Sequence, residues 1–385
     1  MSRAVVATLA GVTAWIGLAA TGPLLAERQE DEGDVVLLEA ALEVSSFHAP
    51  EDRVVWSSPD LGKSDAIYQR LHLADIGGID AARPFEVVVI DGAGTTVDTL
   101  SSEFLAARTE EWTGAAVGGP MFVKVLADAP PTGFHFTIDA RGLALEPGAP
   151  LSIIGLDRRE QMYEITDPAI LKAARAVAKL SLVIDDDLAS CTGFMISASR
   201  MLTNEHCIDS QLICNSAVAV FGYQRKNANT LLAGKSFHCT KLVQPPDHDL
   251  DYALIELAGE PGKEFGWLEL APRAVGLGEK LVLIQHPGGD PKDVSRHGCK
   301  VKTVEAPGVT AAATDFGHIC DTKHGSSGSP VLDLQMRVIG LHHYSKAADG
   351  QPFDDQNRAV RTQKLQPALP AETPTPETPA PGGGR

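Results

Sequence analysis

The stretch Gly325-Ser326-Ser327-Gly328-Ser329-Pro330 decides how this chain is read. Glycines flank a serine within a tight turn. Small residues let the backbone bend so that the N–H groups of Gly325 and Ser327 point into one spot. Two such donors suit the negative oxygen of a tetrahedral intermediate. A serine hydroxyl is a poor nucleophile until an imidazole takes its proton, and the imidazole needs a carboxylate to fix its tautomer. Taken alone, the hexapeptide is equally a Ser/Gly surface turn. The rest of the chain must supply the partners.

Working back, Leu202-Thr203-Asn204-Glu205-His206-Cys207 places a histidine directly before a cysteine, after an apolar segment that begins at Cys191. A packed or surface histidine is the plain alternative. Between the two motifs, Asp249-Leu250-Asp251-Tyr252-Ala253-Leu254-Ile255 sets Asp251 directly before an apolar strand, where it can sit at the strand's buried mouth. Asp249 competes for that role, and Asp247 does so more weakly. The conjunction is specific. The order His, Asp, Ser along the chain differs from that of subtilisin-type and α/β-hydrolase enzymes. All six cysteines lie between Cys191 and Cys320, an even set that reads as disulfides in an exported chain.

Together the Cys191–Cys207 segment, Asp251-Tyr252-Ala253-Leu254 and the serine motif resemble the chymotrypsin-like, trypsin-fold serine peptidases. The bacterial glutamyl and lysyl endopeptidases, with Ser-Pro after the nucleophile motif, are the most similar subgroup. The likeness spans roughly 180–365. It implies an all-β fold of two six-stranded β-barrels with the site between them, His206 and Asp251 from the first and Ser327 from the second. It implies catalytic roles for all three, an oxyanion hole at Gly325 and Ser327, and the pair Cys191–Cys207, and for the remaining cysteines Cys214–Cys239 and Cys299–Cys320 are expected. Ser326 departs from the animal digestive enzymes, which carry aspartate there to pair with a freed N-terminal amine. Two residues compete to read the substrate side chain. Asp321 lies where trypsin-like enzymes bind Arg or Lys, and His342 aligns with the histidine that glutamyl endopeptidases use for acidic side chains. The two cues conflict, and the specificity stays open.

The bland readings prevail elsewhere. His286, in Gln285-His286-Pro287-Gly288-Gly289, reads as a structural strand end, and Asp185-Asp186-Asp187 as a solvated turn. No histidine pair has zincin spacing and no cysteine pair the C-x-x-C spacing of a zinc site. Neither a metal nor a cofactor is expected.

Outside the motifs, Arg3 precedes an uncharged stretch from Ala4 to Ala26, and Glu27 opens a charged run. Residues 1–26 thus read as a signal peptide, or as an uncleaved anchor approaching the about 20 apolar residues a bilayer needs. Secreted or periplasmic placement follows, with no stable membrane association once a signal is cut. Residues 27–160 carry alternating apolar segments such as Phe85-Glu86-Val87-Val88-Val89-Ile90 and Met121-Phe122-Val123-Lys124-Val125. They are expected to form a small β-sandwich, either a removed pro-segment or a retained domain. Ser64–Asp139 is similar to the β-rich segment that precedes the catalytic domain in lysyl-endopeptidase-like precursors. Residues 161–182 read as a linker with a short helix, 183–365 as the peptidase domain, and 366–385, rich in Pro, Thr, Glu and Ala, as a disordered tail. The 385-residue chain has a formal charge of −17, which argues against nucleic acid as a partner. The partner expected is a protein or peptide substrate, cleaved by a secreted serine endopeptidase. The rival is a catalytically silent binding or adhesion protein on a protease scaffold.

Overall fold

Alternation of apolar and polar residues shows directly in the strand Met121–Ala127. Met121, Val123, Val125 and Ala127 are buried, while Phe122, Lys124 and Leu126 face outward. That period of two is what a sheet with one covered face demands. Val218–Phe221 and Val282–Gln285 are buried at every position, so they read as continuous apolar runs. In the computed structural model, which describes residues 33–144, 153, 156–185, 187–310, 312–344 and 355–369, strands dominate. The expected signal peptide or anchor and residues 370–385 lie outside the described residues. No described helix is long and apolar enough to cross a membrane.

The first barrel closes on itself. Its strands run Val177–Ile184, Val218–Phe221, Lys235–Leu242, Ala253–Leu257, Arg200–Thr203 and Asp187–Met195, and the last pairs again with the first. All contacts are antiparallel, and closure leaves no edge. The second barrel pairs Val282–Gln285 with Pro330–Leu332, then Val338–Tyr344, Asn357–Arg361, Asp315–His318 and Val301–Ala306. A bridge between Lys280 and Lys300 brings the entry of the last of these back beside the first. The core holds apolar side chains of both barrels, Phe194, Leu254 and Ile255 packing in one cluster with Ile284, Leu341 and Val360.

Two further sheets precede the barrels. Val54–Ser57, Met121–Ala127, Phe85–Asp91 and Thr96–Ser101 form one. Gly33–Val44, His135–Ala144 and Lys63–Gly77 form the body of the other, and the two share a core that includes Val87, Val123, Phe136 and Ile138. This second sheet runs on into the first barrel, because Gly33 and Asp34 pair with Leu188 and Asp187. Buried Arg70 ties the two regions together, donating to Thr113 O at 2.8 Å, to Ser181 O at 3.2 Å and to Ser216 O at 2.9 Å. A fully buried guanidinium persists only with such a set of acceptors.

Two expected boundaries move. The helix after Asp167 covers Pro168–Arg175, capped by the Asp167 carboxylate accepting from the Ala169 N–H. Val177, Ala178 and Leu180 belong instead to the first barrel strand, so the barrel begins ahead of residue 183. Their apolar spacing fits a helix, but burial on both faces of a sheet produces the same run. At the other end a helix spans Thr362–Ala368. The expected tail therefore starts inside an ordered element, held by the buried Leu365 and Leu369.

Candidate functional site

Asp251 sits at the end of a turn closed by the Asp247–Tyr252 bridge, just ahead of the strand Ala253–Leu257. Its φ of 46° is left-handed, a conformation that aspartate tolerates better than most residues. The turn separates the three candidate carboxylates. Asp249 is exposed, Asp247 accepts from the Leu250 N–H at 3.0 Å, and Asp251 is 2% exposed. Asp251 meets His206. The His206 ring Nδ1 lies 2.8 Å from Oδ2 and 3.0 Å from Oδ1, and the His206 backbone N–H donates to Oδ1 at 3.0 Å. Asn204 Nδ2 donates to the Asp251 carbonyl at 2.8 Å and steadies the turn. Burial alone raises the Asp251 carboxyl, but the adjacent His206 and hydrogen bonds from His206 and His343 outweigh it. The group is held well below the usual carboxylate range and is ionised at neutral pH.

The loop bearing Ser327 is stitched to the first barrel by one residue. Thr192 donates its N–H to Ser327 O at 2.8 Å and its Oγ1–H to Gly325 O at 2.8 Å, and accepts from the His286 N–H at 3.0 Å. Thr192 follows Cys191, which is disulfide-bonded to Cys207, the neighbour of His206. The other disulfides are Cys214–Cys239 and Cys299–Cys320. Gly328, at φ 84°, seats the loop. A Cβ there would lie 2.0 Å from Thr192 O and 2.4 Å from Thr203 Oγ1. Of the serines in the motif, Ser326 is buried and donates to Gln285 Oε1 at 2.6 Å, whereas Ser327 is half-buried. Ser327 Oγ makes no hydrogen bond among the described residues, and neither the Gly325 nor the Ser327 N–H donates to an acceptor among them. Catalytic hydrogen bonds are often long without substrate, and free amides at the loop match an oxyanion site.

Both residues expected to read a substrate side chain are engaged internally. Asp321 is 2% exposed, with Oδ2 accepting the Arg158 N–H at 3.2 Å and facing Arg158 Nε at 3.5 Å. His342 is buried, its Nδ1 3.2 Å from His318 Nε2, and it also hydrogen-bonds the Arg358 backbone. Burial, with neighbouring His318 and His343, pushes His342 well below the usual imidazole range. It is neutral at neutral pH. His286 is buried, with Nδ1 against Asp290 O at 3.1 Å. Cys191, His206 and Cys207 lie close enough to resemble a metal cluster, but both sulfurs are consumed by their disulfide. The sequence reading overlooked Thr192 and His343. His343 Nδ1 is 3.1 Å from Asp251 Oδ2. The doublet His342-His343 in an apolar strand is the only signal that marked it.

Residues 191–341 match the family model of the trypsin-like peptidase domain. A secreted RxLR effector protein of Plasmopara viticola is 30% identical over 217 residues, covering 50% of this chain and 49% of its own. An extracellular metalloprotease of Bacillus subtilis is 29% identical over 210 residues, covering 50% of this chain and 62% of its own. The chain thus spans only about half of the first relative's length. Among solved structures, a Glu endopeptidase in complex with MPD has 19% identity and a TM-score of 0.42, over 55% of this chain and 94% of that one.

Proposed function

We propose that this protein is an exported serine endopeptidase. Ser327 attacks the scissile carbonyl, His206 takes and returns the proton, and Asp251 fixes the His206 tautomer. The Gly325 and Ser327 amides stabilise the oxyanion. The observation that carries this reading is the buried Asp251 carboxylate bound to both the ring and the backbone N–H of His206. It leaves His206 Nε2 as the base. Thr192 and the Cys191–Cys207 disulfide tie the half-buried Ser327 to the same strand. Three disulfides and the names of the secreted and extracellular relatives support export.

The internal pairing of Asp321 with Arg158 supports a pocket without a free acid for Arg or Lys. A neutral His342 does not supply the positive charge that an acidic side chain seeks. The reading is therefore of a peptidase whose preference is set by shape more than by a charge at these two positions. Hydrolysis of a casein or peptide-library substrate tests the proposal. Wild-type protein cleaves it and Ser327→Ala is inert. Equal turnover by the two would sink it. An inert wild type would favour the silent-scaffold alternative.

A further inference from the structure

The Asp251 carboxylate is held by two imidazoles, and the second has a carboxylate of its own. His343 lies in the second-barrel strand Val338–Tyr344 and is 1% exposed. Its Nδ1 is 3.1 Å from Asp251 Oδ2, across the seam between the barrels, and its Nε2 is 2.7 Å from Asp315 Oδ2. Asp315 is fully buried and is itself fixed by the Thr314 Oγ1–H, which donates to Oδ1 at 2.9 Å. An ionised carboxylate only accepts hydrogen bonds, and a neutral imidazole has one N–H. With carboxylate oxygens at both nitrogens, His343 must donate from both, so it is an imidazolium. Burial works against that charge, but Asp315 and the hydrogen bonds to Asp251 and Asp315 overcome it and push the group up to about 9.

We propose that Asp315 and His343 form a positioning pair for the triad, a buried cation and its counter-ion that fix the Asp251 carboxylate toward His206. This rests on the reading of Ser327, His206 and Asp251 as catalytic. Without His343, the other donors to that carboxylate's oxygens among the described residues belong to His206 itself, its backbone N–H on Oδ1 and its ring, so Oδ2 is held by the ring alone and is free to follow it. The donor from the second barrel breaks that freedom. Charge explains the second carboxylate. His343 alone would cancel Asp251 and weaken its hold on the His206 imidazolium that forms during turnover. With Asp315 present the set Asp251, His343 and Asp315 carries a net charge of about −1, which His206 neutralises when it is protonated.

The full-length protein tests this through His343→Gln, Asp315→Asn and the double variant, each checked for folding by its melting transition. His343→Gln is expected to lower kcat by about 10²-fold with KM within about twofold, since it shifts a reacting group without touching substrate. Asp315→Asn lowers kcat less, and the double variant matches His343→Gln because the two act as a unit. The downfield proton resonance of the His206–Asp251 hydrogen bond moves in both single variants. Folded variants with wild-type kcat, or losses that multiply in the double variant, would overturn the pairing. If His343→Gln does not fold, Asp315→Asn keeps the side-chain volume and carries the same kcat-against-KM split. Covalent labelling of wild-type Ser327 by a fluorophosphonate separates the two levels. Labelled wild type with unaffected variants removes only the positioning role, and unlabelled wild type removes the triad and the pair together.

Discussion

Among the described residues two buried imidazoles, His238 and His343, each lie between two carboxylates, and only one of the two sets touches the proposed base. In the second, Asp251 and Asp315 flank His343 between the barrels. In the first, His238 of the strand Lys235–Leu242 lies between two carboxylates of the N-terminal region, Asp98 at 2.9 Å and Glu111 at 3.3 Å. Burial lowers both imidazoles and their carboxylates raise them further, His238 to about 10 and His343 to about 9. The difference lies in what else the carboxylates hold. Asp98 accepts the N–H groups of Gly114 and Thr99, and Glu111 pairs with Arg108, whose Nη2 donates to Cys239 O at 3.2 Å. Those contacts clamp one region onto another. Asp251 holds His206, the proposed base. Similar chemistry thus joins two regions in one place and, on the proposed reading, aims a reacting group in the other.

Substitution at each cluster separates the two roles. Asp251→Asn keeps the shape but places an amide where His206 needs an acceptor, and kcat is expected to fall by about 10⁴-fold with little loss of fold. Steady-state kinetics beside a melting curve reads both. The opposite pattern belongs to His238→Ala. It leaves buried Asp98 without its cation and Glu111 with Arg108 alone, so stability is expected to drop by about 3–5 kcal/mol in denaturant unfolding while kcat of the folded fraction stays near wild type. A large loss of kcat in His238→Ala, with normal stability, would erase the distinction.

A gentler comparison uses pH. His238 titrates near 6.5 when unfolded and at about 10 when folded. A raised imidazole pKa stabilises fully below the unfolded value and loses that stabilisation as pH rises through the folded one. Melting temperature is therefore expected to fall between about pH 6.5 and 10. The fall should be shallower in His238→Gln, and parallel slopes would remove His238 from the account. The smallest effect expected is at the substrate pocket. Arg158→Gln removes the guanidinium beside Asp321 while the backbone N–H bond stays, and a peptide library should show a modest, few-fold gain in cleavage after Arg or Lys. No change in the profile would mean that Asp321 does not face the substrate.

The parts legible in sequence were those with local signatures. The serine hexapeptide, the His206-Cys207 step and Asp251 ahead of an apolar strand each mark themselves within a few residues. Choosing Asp251 over Asp249 rested on its place directly before the strand. What escaped depends on distant partners. Asp251 and His343 are 92 residues apart, and Arg158 and Asp321 are 163 apart, so no local pattern joins them. Thr192 looks like any strand threonine until its neighbours across the seam are known. The strand Val177–Ile184 was hidden for another reason. A strand buried on both faces has no alternation, and its apolar run passed for the end of a helix.

The central claim is that Ser327 is a nucleophile activated by His206, and a fluorophosphonate probe with peptide mapping by mass spectrometry tests it most directly. The account predicts a single adduct on Ser327 in the wild type, none in Ser327→Ala, and sharply slowed labelling in His206→Ala. An adduct on another residue, or a Ser327 adduct formed at the wild-type rate without His206, would contradict it.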